Sequence, residues 1–415
     1  MIFLSLLVLP LYACNDGFNE PNTTMATSED LNSTKYFLHQ HHQNNYQEIK
    51  NDSDSGKELI GTPYKPDTSF HLDYEVFGWY PFWEEDEHKL INYSLLSTLA
   101  YFSYEVDPST GKPKTIHDWK TTPIVDSAKV HKLDMLLTIT NFGRSNNKEF
   151  LTSKKARATL IKTLISLIQL RNAQGVSVDF EGVGRSEKED LTSFIAELNI
   201  GLKRAEALTA CTENYKLYLS LPAVDAEAVF DVENLVPSVD TFVIMGYDYY
   251  GSFSKTAGPV APLESGELWT KDNLENSVQY YKNKGVLGRD LLLALPFYGS
   301  VYETTSNKKG AAVSKFVGSK SYSYFVAKID STKALLDVPS STAWYSEENQ
   351  TGNGDFTQYW FDNYTALNHK LEFIKKDSLK GMGIWALGYD AGNHDLWGAI
   401  EQSFHSEKLM QHHKK

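Results

Sequence analysis

Gln174-Gly175-Val176-Ser177-Val178-Asp179-Phe180-Glu181-Gly182 is the stretch on which the fold of this chain turns. β-Branched Val176 and Val178 alternate with polar residues, the pattern of a strand. Strand side chains switch faces at every residue, so Ser177, Asp179 and Glu181 share one face and Val176, Val178 and Phe180 the other. Two carboxylates on one face of an otherwise apolar strand are costly unless partnered or used. Like charges this close cannot both ionise freely, and at least one pKa is expected to rise. A carboxyl kept protonated near neutral pH is a general acid. A half-exposed strand edge with solvated carboxylates is the other reading that the stretch alone leaves open.

Working outward, similar apolar runs recur from about residue 72 onward. They are Tyr74–Pro81, Ser97–Val106, Lys132–Phe142, Gly175–Glu181, Lys216–Leu221, Thr241–Tyr247, Asp290–Tyr298 and Lys380–Leu387. Helical spacing appears between them, over Lys154–Leu170 (with Leu160, Leu164 and Leu167), Glu187–Leu208 and Asn273–Asn283. Eight β units alternating with helices predict an α/β fold, a closed (β/α)8 barrel of the TIM type. A doubly wound open sheet is the alternative, and the Gly-rich phosphate fingerprint of its nucleotide-binding version is absent. The long connection between strands seven and eight, about 300–378, predicts a small α+β insertion that walls one side of the cleft. Ser321–Val326 and Ala343–Tyr345 are its aromatic and β-prone patches.

In such a barrel the active site lies at the C-terminal ends of the strands. Asp179 and Glu181 end strand four, Tyr247 and Asp248 strand six, and Tyr298 strand seven. Trp385 lies on strand eight with Tyr389 and Asp390 beyond it, and strand one offers Trp79, Tyr80 and Trp83. Carboxylates ringed by Tyr and Trp fit a sugar site, because pyranose C–H faces stack on aromatic rings while hydroxyls take polar partners. For each aromatic taken alone, core packing is the commoner role.

The chain has 415 residues and a net charge of −13, which argues against a nucleic-acid partner. Its two cysteines, Cys14 and Cys211, supply no disulfide framework.

These residues resemble glycoside hydrolase family 18, the chitinase and endo-β-N-acetylglucosaminidase family. The likeness covers most of residues 72–405 and rests on four blocks in order. The strand-four block Gln174 to Glu181 matches the last Asp and the Glu of Asp-Gly-x-Asp-x-Asp-x-Glu, with Gln174 and Ser177 at the first two Asp positions. Met245-Gly246-Tyr247-Asp248, with the loop Gly258–Leu263, resembles the strand-six block. Leu295–Gly299 resembles the strand-seven block, and Gly381–Asp390 the strand-eight block. Ser300 stands where many chitinases carry Arg.

The resemblance implies cleavage of β-linked N-acetylglucosamine glycans, chitin or chitooligosaccharides first among them, by substrate-assisted retention. It implies Glu181 as the acid, Asp179 holding the 2-acetamido group that attacks the anomeric carbon, and Tyr247 hydrogen-bonding the acetamido oxygen. Asp248 and Met245 would contact the sugar, Trp385 would form its floor, and Tyr298 and Trp79 complete the expected binding set. No metal or organic cofactor is implied. A lectin-like member that has lost turnover and a peptidoglycan-lytic N-acetylglucosaminidase are the alternatives. Loss of the Glu usually marks the former, and Glu181 is present. With Ser177 in place of a carboxylate, Asp179 is expected to be ionised over most of the working range and to raise the pKa of Glu181.

Residues 1–14 read as a signal segment whose Leu11-Tyr12-Ala13-Cys14 resembles a bacterial lipoprotein box, with Cys14 as the lipidated residue. Residues 15–70 read as a disordered polar tether, 71–405 as the catalytic barrel and 406–415 as a tail. His39, His41, His42, His412 and His413 are read as incidental. The expected location is the bacterial cell envelope, lipid-anchored through Cys14 or secreted. Cys14→Ser is expected to release the protein from the membrane fraction, and an unchanged distribution would remove the lipoprotein reading.

Overall fold

The computed structural model describes residues 64, 71–209, 214–349 and 355–405. Cys14, Cys211, the segment 1–14, the histidines read as incidental and the tail 406–415 lie outside the described residues, as does all of 15–70 except Tyr64.

Among the described residues there are fourteen strands: β1 (Glu75–Pro81), β2 (Thr98–Val106), β3 (Pro113–Thr115), β4 (Asp134–Phe142), β5 (Gly175–Glu181), β6 (Lys216–Pro222), β7 (Thr241–Met245), β8 (Leu291–Pro296), β9 (Tyr298–Thr304), β10 (Val313–Ser321), β11 (Leu335–Asp337), β12 (Thr342–Glu348), β13 (Phe356–Phe361) and β14 (Gly381–Trp385). Eight of them, β1, β2, β4, β5, β6, β7, β8 and β14, form a closed parallel barrel, because β1 pairs with both β2 and β14. Closure leaves this sheet no free edge along its parallel strands. The eight expected strands are these eight, and the barrel is a (β/α)8 barrel with an α+β insertion between its seventh and eighth strands.

Local rules explain the elements that carry the site. The helix Lys154–Arg171 starts where the Ser153 side chain accepts a hydrogen bond from the Ala156 N–H, and ends at Asn172 in the left-handed region. Leu160, Leu164, Leu167 and Ile168 repeat at helical spacing and are buried. Its Arg157 reaches Glu197 of the next helix, Lys188–Thr209, with two bonds of 2.9 Å. β5 begins at Gly175, where a Cβ would lie 2.0 Å from the Lys216 carbonyl oxygen, so only glycine lets β5 and β6 start side by side.

Three differences from the sequence reading concern strand ends and the insertion. The seventh expected strand stops at Pro296, and Tyr298 opens β9 of a second sheet, where it pairs antiparallel with Ser321 of β10. That second sheet is antiparallel, in the order β10-β9-β13-β12-β11. Within it Tyr322–Lys328 is a helix, so only Ser321 of the patch Ser321–Val326 is in a strand. The helix Tyr364–Lys376 packs on β14 and on the last helix, His394–Phe404, as the barrel's own helix, so the insertion proper ends near Phe361 and not near 378.

A buried ion pair joins the two parts. Lys370 of that helix reaches Asp362, next to the end of β13, at 2.6 Å, with the lysine side chain wholly buried. Burial pushes the Asp362 pKa up and the Lys370 pKa down, and their mutual attraction opposes both shifts. Removing one partner of such a pair costs about 3–5 kcal/mol, because the other is left buried and uncompensated. Lys370→Met is expected to lower stability by about that amount in urea denaturation, and Lys370→Met with Asp362→Leu to recover most of it. A single variant as stable as the wild type would show the pair to be dispensable.

Candidate active site

β5 brings its carboxyls to the barrel mouth because its outward face is fixed. Phe180 stacks on Phe194 at 5.4 Å and meets Phe150 edge-on at 5.6 Å, against the surrounding helices. The strand end is held by the Glu181 carbonyl, which accepts from Asn147 Nδ2 at 2.7 Å and from the Gly143 N–H at 2.9 Å. The alternating inward face then sets Glu181 on the wall of a cleft of about 920 Å³, open to solvent. Asp179, two residues earlier, is 3% exposed and lies inside the barrel. The two carboxyls therefore share a face and have different surroundings.

Burial pushes the Asp179 pKa up to about 7, and the neighbouring Ser220 hydroxyl only partly opposes it. The expectation that Asp179 is ionised over most of the working range is thereby corrected. Removing a second carboxylate at position 177 does relieve a repulsion, but the loss of water outweighs it.

Tyr247 and Asp248 follow the end of β7, where Asp248 takes a left-handed conformation with φ of 58°. Both line the cleft together with Met245 and Trp385. Burial and the nearby charges of Asp179, Glu181 and Asp248 raise the Tyr247 pKa well above its ordinary value, so it remains a hydrogen-bond donor. Trp385, the last residue of β14, is held edge-on by Phe102 at 5.0 Å and by Trp79 at 5.8 Å.

Other expected contacts lie behind this surface. Trp79 is 1% exposed and backs Trp385. Tyr298 is buried and donates its hydroxyl to Asp248 at 2.5 Å, so it orients a cleft residue from beneath. Tyr80 gives its hydroxyl to the Glu85 carbonyl at 2.8 Å, Trp83 packs edge-on to Phe82 and Phe102, and Asp390 accepts from Trp397 Nε1 at 3.0 Å. A position at a strand end does not tell which side of the strand an aromatic ring takes. Conversely, the loop after β6 supplies much of the cleft wall, with Val224, Asp225, Glu227 and Phe230. Its position at the C-terminal end of a barrel strand is the signal that could have found it. Asp225 accepts the N–H groups of Val229 and Phe230 and so shapes this loop.

Carboxyl and aromatic side chains thus gather at the C-terminal mouth of a (β/α)8 barrel. The chain belongs to the glycosyl hydrolases family 18, whose profile matches residues 75–390. Mouse chitotriosidase-1 is 23% identical over 279 residues, 62% of this chain and 59% of that protein. An endochitinase of Brugia malayi is 24% identical over 293 residues, 64% of this chain and 56% of that one. The chain thus spans little more than half the length of these relatives. Among solved structures, a family 18 chitinase of Cycas revoluta in complex with (GlcNAc)3 superposes with a TM-score of 0.70 at 19% identity, covering 80% of this chain and 99% of that one. A chitinase-like agglutinin of Robinia pseudoacacia gives a TM-score of 0.70 at 19% identity, covering 79% and 98%.

An acid whose pKa is raised by folding holds its proton more tightly in the folded chain. For Asp179 the unfolded value is about 3.9 and the folded one about 7. Its burial therefore costs nothing extra below about pH 4 and destabilises increasingly as pH rises through about 7. Asp179→Asn is expected to raise Tm at about pH 8 and to change it little at about pH 4. The same shift at both pH values would show that no buried charge is being relieved.

Proposed function

We propose that this chain hydrolyses β-linked N-acetylglucosamine glycans, with chitin or chitooligosaccharides as substrates, by substrate-assisted retention. The observation that carries this reading is the pair on β5: Glu181 on the cleft wall and Asp179 buried below it. Glu181 protonates the leaving glycosidic oxygen. The substrate's acetamido carbonyl attacks the anomeric carbon, and the glycosidic bond breaks toward the departing sugar. Asp179 holds the acetamido N–H. Its negative charge is costly in the free protein, and positive charge developing on the oxazolinium offsets that cost, so the interaction strengthens as the reaction advances. Tyr247 donates to the acetamido oxygen, Asp248 helps position the sugar, and Trp385 forms its floor. Glu181 then takes a proton from the water that opens the oxazolinium, which restores the acid. The likeness to the Robinia agglutinin supports a second reading, a lectin-like binder on the same barrel. We also propose that Cys14 anchors the protein in the cell envelope.

Glu181→Gln keeps the shape of the site and removes the acidic proton. Turnover of chitooligosaccharides is expected to fall by about 10²–10⁴-fold, the usual contribution of a positioned general acid, while calorimetric binding persists. Normal turnover by this variant would overturn the assignment. A wild type that binds these oligomers and releases no product would favour the lectin-like reading. Fully deacetylated oligomers are expected to resist cleavage, since they lack the attacking carbonyl. Their efficient hydrolysis would demand an enzyme nucleophile instead.

A further inference from the structure

Strand register sets two rows of polar side chains inside the barrel beneath the cleft. Between β4 and β5, Thr140 pairs with Asp179 and Thr138 with Ser177. Between β5 and β6, Ser177 pairs with Tyr218 and Val178 with Leu219, which brings Ser220 alongside Asp179. Paired residues on neighbouring parallel strands point to the same face, with their strands about 4.8 Å apart. The upper row is therefore Thr140, Asp179 and Ser220, and the lower row Thr138, Ser177 and Tyr218. Two of the six are engaged elsewhere. Thr140 Oγ1 meets Ser103 Oγ at 3.2 Å, and Tyr218 gives its hydroxyl to Glu75 at 2.6 Å.

The other four leave polar atoms on the inward face of these strands. Thr138 Oγ1, Ser177 Oγ, Ser220 Oγ and Asp179 Oδ1 are all buried without a hydrogen-bond partner. Ser220 lies near enough to Asp179 to lower its pKa as a hydrogen-bonding neighbour, although Ser220 Oγ and Asp179 Oδ1 reach no partner with full hydrogen-bond geometry. Buried polar groups left unsatisfied in this way are rare, because each forfeits its hydration. A buried water characteristically joins about three such groups. Serine at 177 is shorter than a carboxylate and keeps a buried hydroxyl on the inward face.

We propose that Thr138, Ser177 and Ser220 hold one ordered water beneath Asp179, which donates a hydrogen bond to the carboxyl. Ser177 and Thr138 are positioning residues: they fix the water, and the water fixes the carboxyl that faces the acetamido group. The proposal rests on the role of Asp179 given above. The titratable groups facing this carboxyl are Glu181 on its own strand and Tyr247 after β7, with Asp248 and Tyr389 around Tyr247. Its neighbours on β4 and β6, Thr140 and Ser220, do not titrate, and the Tyr218 hydroxyl is turned to Glu75.

The test pairs diffraction with titration, on the full chain and on Thr138→Val, Ser177→Ala and the double variant. Thr138→Val is nearly isosteric and protects against a variant that fails to fold. A wild-type crystal structure that resolves ordered waters is expected to show a density peak within hydrogen-bond distance of Ser177, Thr138 and Asp179, lost in the double variant. The pKa of Asp179, read by carbon-13 titration, and the matching limb of the kcat/KM profile are expected to rise by about one unit in the double variant, as the carboxylate loses a donor. No peak in the wild type, or hydroxyls closed directly on one another, overturns the proposal. A peak whose loss leaves both titrations unmoved overturns the positioning role. A wild type that cleaves no glycan would fail the functional reading alone, since the water and the pKa are read without turnover.

Discussion

A carboxyl group held in the dry interior of a closed barrel is the constraint around which this molecule is arranged. Its charge is expensive there, and burial answers by raising its pKa to about 7. Glu181, two residues on along the same face, meets the open cleft instead. The phenol of Tyr247 is kept protonated by the same burial and by the carboxyl charges around it. A site that stabilises positive charge gains most when its own negative charge is poorly solvated beforehand.

The scaffold that keeps the interior dry has its own polar floor. At the N-terminal end of the barrel Glu75 accepts from Thr98 at 3.0 Å and from Tyr218 at 2.6 Å, and it pairs with Lys380 at 3.1 Å. The lysine also lies over the Tyr218 ring at 5.3 Å. This cluster closes the end opposite the cleft with groups that satisfy one another, in contrast to the unsatisfied hydroxyls under Asp179. The insertion is fastened separately. Asp337 takes Trp269 Nε1 at 2.7 Å, the Ser340 hydroxyl at 2.5 Å and the Lys309 ammonium, tying the loop after β7 to the second sheet.

Much of this was legible in the sequence, and the reasons differ by element. Alternation in Gly175–Glu181 predicted the strand to the residue, because a period of two leaves one way to bury Val176, Val178 and Phe180. Helix boundaries came within a residue or two, since Ser153 and Asn172 act locally. The end of the insertion was not legible: Tyr364–Lys376 belongs to the barrel through contacts with β14 and the last helix that no local pattern reports. Trp79 and Tyr298, expected in the binding set, lie buried behind the cleft surface, because an aromatic ring at a strand end reads the same whether it faces the cleft or supports a residue that does. The ionisation of Asp179 was misjudged for a related reason. Ser177 is visible in the chain, whereas the depth at which the barrel seals around Asp179 is a tertiary fact.

Tyr64 has a consequence for how the molecule is held. Its ring packs on His394 at 4.3 Å and its hydroxyl reaches the Asn393 carbonyl at 3.2 Å, at the start of the last helix. Leu72 bridges to His405 at that helix's far end, beside the first barrel strand. Asn393 follows β14 on the side where Trp385 meets the cleft. Tyr64 therefore touches the start of the last helix and Leu72 its end, so the two residues bracket that helix ahead of the first barrel strand. Loosening either contact would free one end of the helix that closes the ring behind β14 and β1.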